Sequence, residues 1–155
     1  MIPDPTGICA FQRLDGRTTT SGRLRDEDLP ALAAIGVRHV VNLALDSHPE
    51  ALADEAEKLA ALGIAYTHIP VPFDDPRDEH YRAFAAALVA AGGGPAHVHC
   101  IMNYRVSAFF YRWHRESCGM DELSARALMT RQWEPDRSDR PEARPWAEFL
   151  GRTGI

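Results

Sequence analysis

The stretch His97-Val98-His99-Cys100-Ile101-Met102-Asn103-Tyr104-Arg105-Val106-Ser107 changes character twice within eleven residues, and the reading of the chain starts from it. A glycine-rich turn, Gly92-Gly93-Gly94-Pro95, leads into Ala96-His97-Val98-His99, a short alternating run with the pattern of a buried strand. Beyond Asn103, the apolar residues Val106, Phe109, Phe110 and Trp113 recur at helical spacing until Gly119. Cys100 is therefore expected at the end of a strand, and the loop after it is expected to open directly into a helix. The first N–H groups of a helix lack intrahelical partners and sit at the positive end of its dipole, so such a loop is an anion site. Thiols placed there ionise more readily than free cysteine and become nucleophilic. Arg105 adds a planar fork of donors suited to phosphate or sulfate oxygens.

These residues resemble the signature of the cysteine-based protein tyrosine phosphatases: His-Cys, five residues, Arg, then Ser or Thr, with glycine usual at the third loop position. Only four residues separate Cys100 from Arg105, Asn103 stands where glycine is usual, and Val106 occupies the position counted for the arginine. Ser107 keeps the position of the hydroxyl. Either the loop is one residue tighter, or the arginine has moved one place along a loop of ordinary length. Asparagine visits the left-handed backbone region more readily than most residues, which makes Asn103 the mildest departure. Rhodanese-like sulfurtransferases also resemble the shorter spacing; their Asp-Arg pair after an early strand and their Gly-His-Ile stretch are not visible in this chain, so the phosphatase reading leads, with a phosphate-binding pseudophosphatase of weak or no activity and a rhodanese-like sulfurtransferase as the alternatives.

The resemblance implies that Cys100 attacks phosphorus, that the loop Ile101, Met102, Asn103, Tyr104, Arg105 and Val106 binds the phosphoryl oxygens, and that Ser107 assists the thiolate as it leaves. His99 would brace the loop. It also implies a general acid on the loop after the preceding strand, where Asp74 and Asp75 lie between Pro72 and Pro76; Asp74 is favoured, with Asp75 in support. The implied substrate is a phosphorylated protein or a small phosphomonoester, and no cofactor or metal is required. A zinc site built from His97, His99 and Cys100 or His68 lacks a clear ligand set.

Around this centre the chain alternates. An edge strand is expected from Ile8 to Leu14 and a second strand from Thr18 to Ser21, stopped at Gly22. Asp26 is read as the cap of a helix ending at Gly36, and Val37 to Leu43 as a central strand apolar on both sides. Pro49 is read as the opening of a helix that stops at Gly63, with Ile64 to Val71 as the next strand. Asp78 is read as the cap of a helix with Tyr81, Phe84, Ala85, Leu88 and Val89 inward. Asp121 caps a further helix through about Trp133, residues 134–145 form a charged, proline-broken loop, and Trp146, Phe149 and Leu150 return as a short helical turn. This order implies a single-domain α/β fold, a mainly parallel central sheet flanked by helices, with ligands beyond the carboxyl ends of the strands. It resembles small dual-specificity phosphatases from roughly Phe11 to Trp133.

Composition narrows the field. With 155 residues, 45% hydrophobic and 25% charged, the chain has the make-up of one globular domain spanning residues 1–155. Its net charge of −5 argues against a general nucleic-acid binder. No apolar run approaches the about 18 residues of a membrane span, and the start, Met1-Ile2-Pro3-Asp4-Pro5, has no signal-peptide pattern. Three scattered cysteines give no disulfide framework. A cytoplasmic protein is expected, and the arginine- and alanine-rich composition suggests a GC-rich bacterial source. Arg137, Arg140 and Arg144 are expected to face solvent, or to fold over the pocket and select anionic substrates.

Overall fold

The computed structural model describes residues 2–152; Met1 and residues 153–155 of the expected single domain lie outside the described residues. Five strands, β1 (Gln12–Asp15), β2 (Thr18–Ser21), β3 (His39–Asn42), β4 (Ala65–His68) and β5 (Ala96–His99), form one sheet in the order β1-β2-β5-β3-β4. Only the β1–β2 pair is antiparallel. The other three pairings are parallel, with Ser21, His99 and Asn42 in register across β2, β5 and β3. The helices are α1 (Asp28–Ala34), α2 (Glu55–Ala61), α3 (Asp78–Ala90), α4 (Tyr104–Ser117), α5 (Glu122–Met129) and α6 (Arg144–Gly151). This is the expected α/β architecture, but β5 rather than β3 is the middle strand. That places Cys100 at the carboxyl end of the most enclosed strand, with all four β5 residues buried.

Alternation divides the sheet into two unlike faces. Val41 and Val98 look toward α3, α4, α5 and α6, in a core with Tyr81, Phe84, Phe109, Trp146 and Phe149. Val40 looks the other way, onto Leu32 of α1 and Leu59 of α2. His97, two residues from His99 on β5, belongs to this second face and is fully buried between two hydroxyls: Thr19 Oγ1 lies 2.8 Å from Nδ1, and Ser21 Oγ lies 2.8 Å from Nε2. Because the Ser21 hydroxyl already donates to the Gly22 carbonyl at 2.9 Å, it accepts from Nε2–H, and Thr19 donates to Nδ1. A neutral ring satisfies both contacts. Burial, reinforced by nearby His99, pushes the His97 pKa well below 6.5.

Several element ends differ from the sequence expectation for local reasons. Pro49 sits in a turn, and α2 begins six residues later behind Asp54, whose φ of 56° starts the helix from a left-handed residue. Glu27, not Asp26, precedes α1; Asp28 turns back to accept the Arg25 N–H at 2.8 Å. Asp78 is the first residue of α3, and Arg77 occupies the capping position. Val89, expected inward, is 71% exposed, because its position on α3 turns away from the sheet. Asp121 does cap α5, accepting from Ser124 N–H, but that helix stops at Met129.

His97 makes the fold acid-sensitive near neutrality. Its folded pKa is depressed, so as pH falls below about 6.5 the unfolded chain takes up a proton that the folded chain refuses. Stability should fall by up to about 1.4 kcal/mol per pH unit for this one proton. His114, its pKa also lowered by burial, adds in the same direction. A urea midpoint measured at pH 7.5 and again at 5.5 should move to lower denaturant; an unchanged midpoint would contradict the buried neutral ring.

Candidate active site

Beyond the carboxyl ends of β3, β4 and β5 lies a cavity of about 720 Å³. Its lining includes Cys100, Ile101 and Met102 from the loop after β5, and Tyr104 and Arg105 from the first turn of α4. Cys100 is only 1% exposed. Phe73, Tyr104 and Trp133 form an aromatic wall in which Tyr104 and Trp133 stack with centroids 4.7 Å apart and 7° between planes. The Trp133 indole N–H also donates to the Tyr104 carbonyl at 2.9 Å, tying the turn after α5 to the start of α4.

Two consecutive carbonyls of the cysteine loop are drawn back into the protein. The Ile101 carbonyl accepts the Arg23 N–H at 2.9 Å, and the Cys100 carbonyl lies 3.3 Å from Nδ1 of His99. In a trans peptide the C=O and the following N–H point in opposite directions. Holding these oxygens therefore turns the Met102 and Ile101 N–H groups the other way, the orientation an anion requires. Gly22 permits the approach: a Cβ there would stand 2.4 Å from the Ile101 oxygen and 3.2 Å from the Cys9 sulfur. Its Cα thus packs where no larger residue fits.

Asn103 completes the loop with φ 67°, in the left-handed region that sequence reading allowed for it. Its side chain is fully buried, and Nδ2 donates to the Ala10 carbonyl at 2.9 Å and to Thr20 Oγ1 at 3.1 Å. Asn103 is therefore a brace beneath the loop, not a residue of the cavity lining.

The choice between a tighter loop and a displaced arginine is decided by α4. Arg105, 7% exposed, is its second residue and reaches the cavity, while Val106 is fully buried in the core. One arm of Arg105 donates to the Val71 carbonyl at 2.9 Å, and its guanidinium carbon lies 5.8 Å from the Phe73 ring centroid. These contacts fix the guanidinium plane. Val106, expected among the anion-binding positions, is thus a core residue, because helix geometry carries it about 100° away from Arg105. Ser107 is not brought to the cysteine either. Its hydroxyl donates to the Tyr104 carbonyl at 3.1 Å, and it borders a separate small void beside Gln12 and Thr20.

Asp74 and Asp75 are exposed and line another groove, facing Arg144, Glu148 and Arg152. Asp75 pairs with Arg77 at 2.8 Å. The backbone of this loop is held nevertheless, because the Trp146 indole donates to the Phe73 carbonyl at 2.6 Å. Three further ionisable groups that border the cavity were not foreseen: His48, Glu134 and Glu142. Glu134 is fixed by Arg126 at 2.9 Å and Arg137 at 3.3 Å. Arg126 also bonds Asp136, holding that carboxyl below the usual carboxylate range. Arg140 lines the cavity, Arg144 the neighbouring groove, and Arg137 is largely exposed.

His99 does not face the cavity. Its Nε2 lies 2.6 Å from Oε2 of Glu55, the first residue of α2, and both side chains are 4% exposed. Glu55 is absent from the sequence reading because an acidic residue in the first turn of a helix is ordinarily solvated. Nothing local says that this one points inward. Among the described residues no group of three or more His, Cys, Asp or Glu is placed to hold a metal ion, and no helix is long and apolar enough to cross a membrane.

No family model matches the sequence, and no curated protein matches it. Solved structures do. A DUF442 protein of phosphatase description from Shewanella putrefaciens CN-32 is 31% identical, covering 93% of this chain and 90% of that one at a TM-score of 0.81. TpbA of P. aeruginosa, seen in complex with pTyr, is 19% identical over 92% of this chain and 83% of its own, with a TM-score of 0.70. PTPMT1, seen in complex with PI(5)P, is 13% identical over 90% and 94%, also at 0.70. The chain belongs to the cysteine-based protein tyrosine phosphatase superfamily. Within it, the sequence likeness runs to the DUF442 protein, whereas TpbA and PTPMT1 share the fold.

The glycine contact gives a direct check on the loop. Gly22→Ala should push the Ile101 carbonyl out of place, weaken protection of Cys100 by vanadate against alkylation at least about tenfold, and cost about 1–3 kcal/mol of stability as overpacking. Unchanged protection and an unchanged urea midpoint would show that the close approach does not shape the loop.

Proposed function

We propose that the chain is a cytoplasmic, single-domain, cysteine-dependent phosphomonoester hydrolase that works through a phosphocysteine intermediate. The observation that supports this most is Cys100 on the lining of the cavity at the amino end of α4, with Arg105 beside it on a phosphatase fold. The Cys100 sulfur attacks phosphorus, the P–O ester bond breaks, and its electron pair leaves on the substrate oxygen, which takes a proton. Water then cleaves the S–P bond, releasing phosphate and returning the thiolate. The loop amides and Arg105 hold the equatorial oxygens as charge redistributes. The substrate is a phosphorylated protein or a small phosphomonoester, in keeping with the pTyr and PI(5)P complexes of TpbA and PTPMT1.

Asp74 remains our choice for the proton donor, because it directly follows Phe73, a wall residue of the cavity. Its carboxylate must leave the neighbouring groove to act. A second reading rests on this placement: with Asp74, Asp75 and Ser107 all off the cavity lining, the loop binds a phosphoryl group and turns it over slowly or not at all.

Release of p-nitrophenol from p-nitrophenyl phosphate between pH 5 and 8, without added metal, separates the two. Turnover should be present in the wild type and lost in Cys100→Ser with the fold intact. Asp74→Asn should lower turnover of unactivated phenyl phosphate by about 10²- to 10⁴-fold, the usual worth of a positioned acid. A silent wild type in which vanadate still protects Cys100 would favour the binding-only reading. Full activity in Cys100→Ser would refute both.

A further inference from the structure

His48 stands on the cavity lining with one ring nitrogen already engaged. The Glu50 N–H donates to its Nδ1 at 3.0 Å, so that nitrogen keeps its lone pair. A neutral imidazole has one proton, which then sits on Nε2. The two nitrogens lie on different edges of the ring. With Nδ1 turned back onto the backbone of its own turn, Nε2–H points away from that turn. The backbone of the residue is held as well: its N–H donates to the Leu45 carbonyl at 3.2 Å, and its carbonyl accepts the Ala51 N–H at 3.0 Å. Although exposed, the ring therefore has a set direction.

The turn is also placed relative to the cysteine loop. Glu50 pairs with Arg23 at 3.3 Å, the Arg23 N–H holds the Ile101 carbonyl at 2.9 Å, and Arg23 Nη1 lies 3.9 Å from the Met102 sulfur. One arginine thus ties the residue two places after His48 to the loop. Other polar groups of the lining are occupied within the protein. The Trp133 indole N–H is taken by the Tyr104 carbonyl, one arm of Arg105 by Val71, Ser138 Oγ accepts the Arg140 N–H, and Glu134 is paired with Arg126 and Arg137. In a cavity with an aromatic wall, a few placed polar groups set the orientation of a ligand. The Nε2–H of His48 is such a group, directed and without a partner among the described residues.

We propose that His48 is a specificity-determining residue: its Nε2–H donates to an acceptor oxygen on the body of the phosphomonoester, outside the phosphoryl group that the cysteine loop and Arg105 receive. The inference rests on the Cys100 loop being an anion site and does not require turnover. It separates two substitutions. In His48→Asn the side-chain oxygen takes the place of Nδ1 and accepts the Glu50 N–H, a turn that asparagine forms readily with the backbone two residues on. The donor at the far edge is then gone. In His48→Gln the longer amide carries its NH₂ to the place of Nε2, and the bond to Glu50 is lost. A role confined to holding the turn would spare the asparagine variant and penalise the glutamine variant; a role in binding the ester does the reverse.

The experiment measures protection of Cys100 from iodoacetamide by non-hydrolysable phosphonates taken in pairs, one member with acceptor oxygens and one without. The N-acetyl amide of phosphonomethylphenylalanine against benzylphosphonate tests amide oxygens; 3,4-dihydroxybutylphosphonate against butylphosphonate tests hydroxyls. In at least one pair the affinity of the acceptor-bearing member relative to the plain one should fall about fivefold in His48→Asn, the ordinary worth of one hydrogen bond. In His48→Gln it should stay within about twofold of wild type. The pair that responds names the source of the oxygen. Unchanged ratios in His48→Asn for both pairs, or a loss in His48→Gln as large as in His48→Asn, overturn the proposal. Failure of inorganic phosphate to protect wild-type Cys100 would overturn the anion-site reading, and this proposal with it.

Discussion

The retraction of two successive carbonyls, those of Cys100 and Ile101, is the constraint on which the site depends. A loop of six residues from Cys100 to Arg105 has little slack, and its peptide dipoles face one side or the other. Oxygens toward the cavity would repel an anion; amides toward it would bind one. The protein commits the first two peptides through partners at the ends of different strands. His99, from within β5, takes the Cys100 oxygen, and the Arg23 N–H, just past β2, takes the Ile101 oxygen. Asn103 then turns the chain through a left-handed residue into α4, so that Arg105 emerges on the cavity and Val106 in the core.

This arrangement explains why one face of an otherwise apolar sheet is polar. Thr19, Ser21, His97, His99 and Asn42 lie buried on the side covered by α1 and α2, where hydrocarbon would pack as well. They supply partners to one another, so the cost of burying them is largely offset by hydrogen bonds. The opposite face carries the aromatic core, including Arg112, fully buried with its guanidinium carbon 4.1 Å from the Tyr81 ring centroid and 4.7 Å from that of Phe149. Rigidity comes from the aromatic side and orientation of the loop from the polar side.

The alternation of strands and helices was legible because hydrophobic period and helix-stop glycines are local signals. Gly36 and Gly63 do end their helices with positive φ, and Thr18–Ser21 is a strand with the expected bounds. The cysteine at a strand end, the left-handed Asn103 and the arginine near the helix start were legible for the same reason. What the sequence could not convey was direction. Asp74 and Asp75 follow the right strand, yet the bend after Phe73, whose carbonyl Trp146 holds, sends their carboxylates toward Arg144 and Arg152. Ser107 keeps a family position in the count, but a helix that begins at Tyr104 gives its hydroxyl a carbonyl three residues back. Glu55 and Gly22 meet residues 44 and 79 positions away, His99 and Ile101, and no short-range pattern encodes such contacts.

The shorter spacing between cysteine and arginine thus has a structural consequence beyond the loop itself. With the arginine one residue earlier, its guanidinium comes from the first turn of α4 at a point where the Val71 carbonyl can claim one arm. The arginine is oriented from the β4 side before any ligand arrives, as the Cys100 carbonyl is held by the His99 ring. A site held in this way loses little freedom when an anion binds. The same fixing leaves adaptation to the outer wall, where Arg140 and Glu142 flank the cavity from an irregular segment with only short helical turns. In the hydrolase we propose, selectivity among phosphomonoesters resides in that segment and in His48, and the recognition of phosphate itself in the loop beneath.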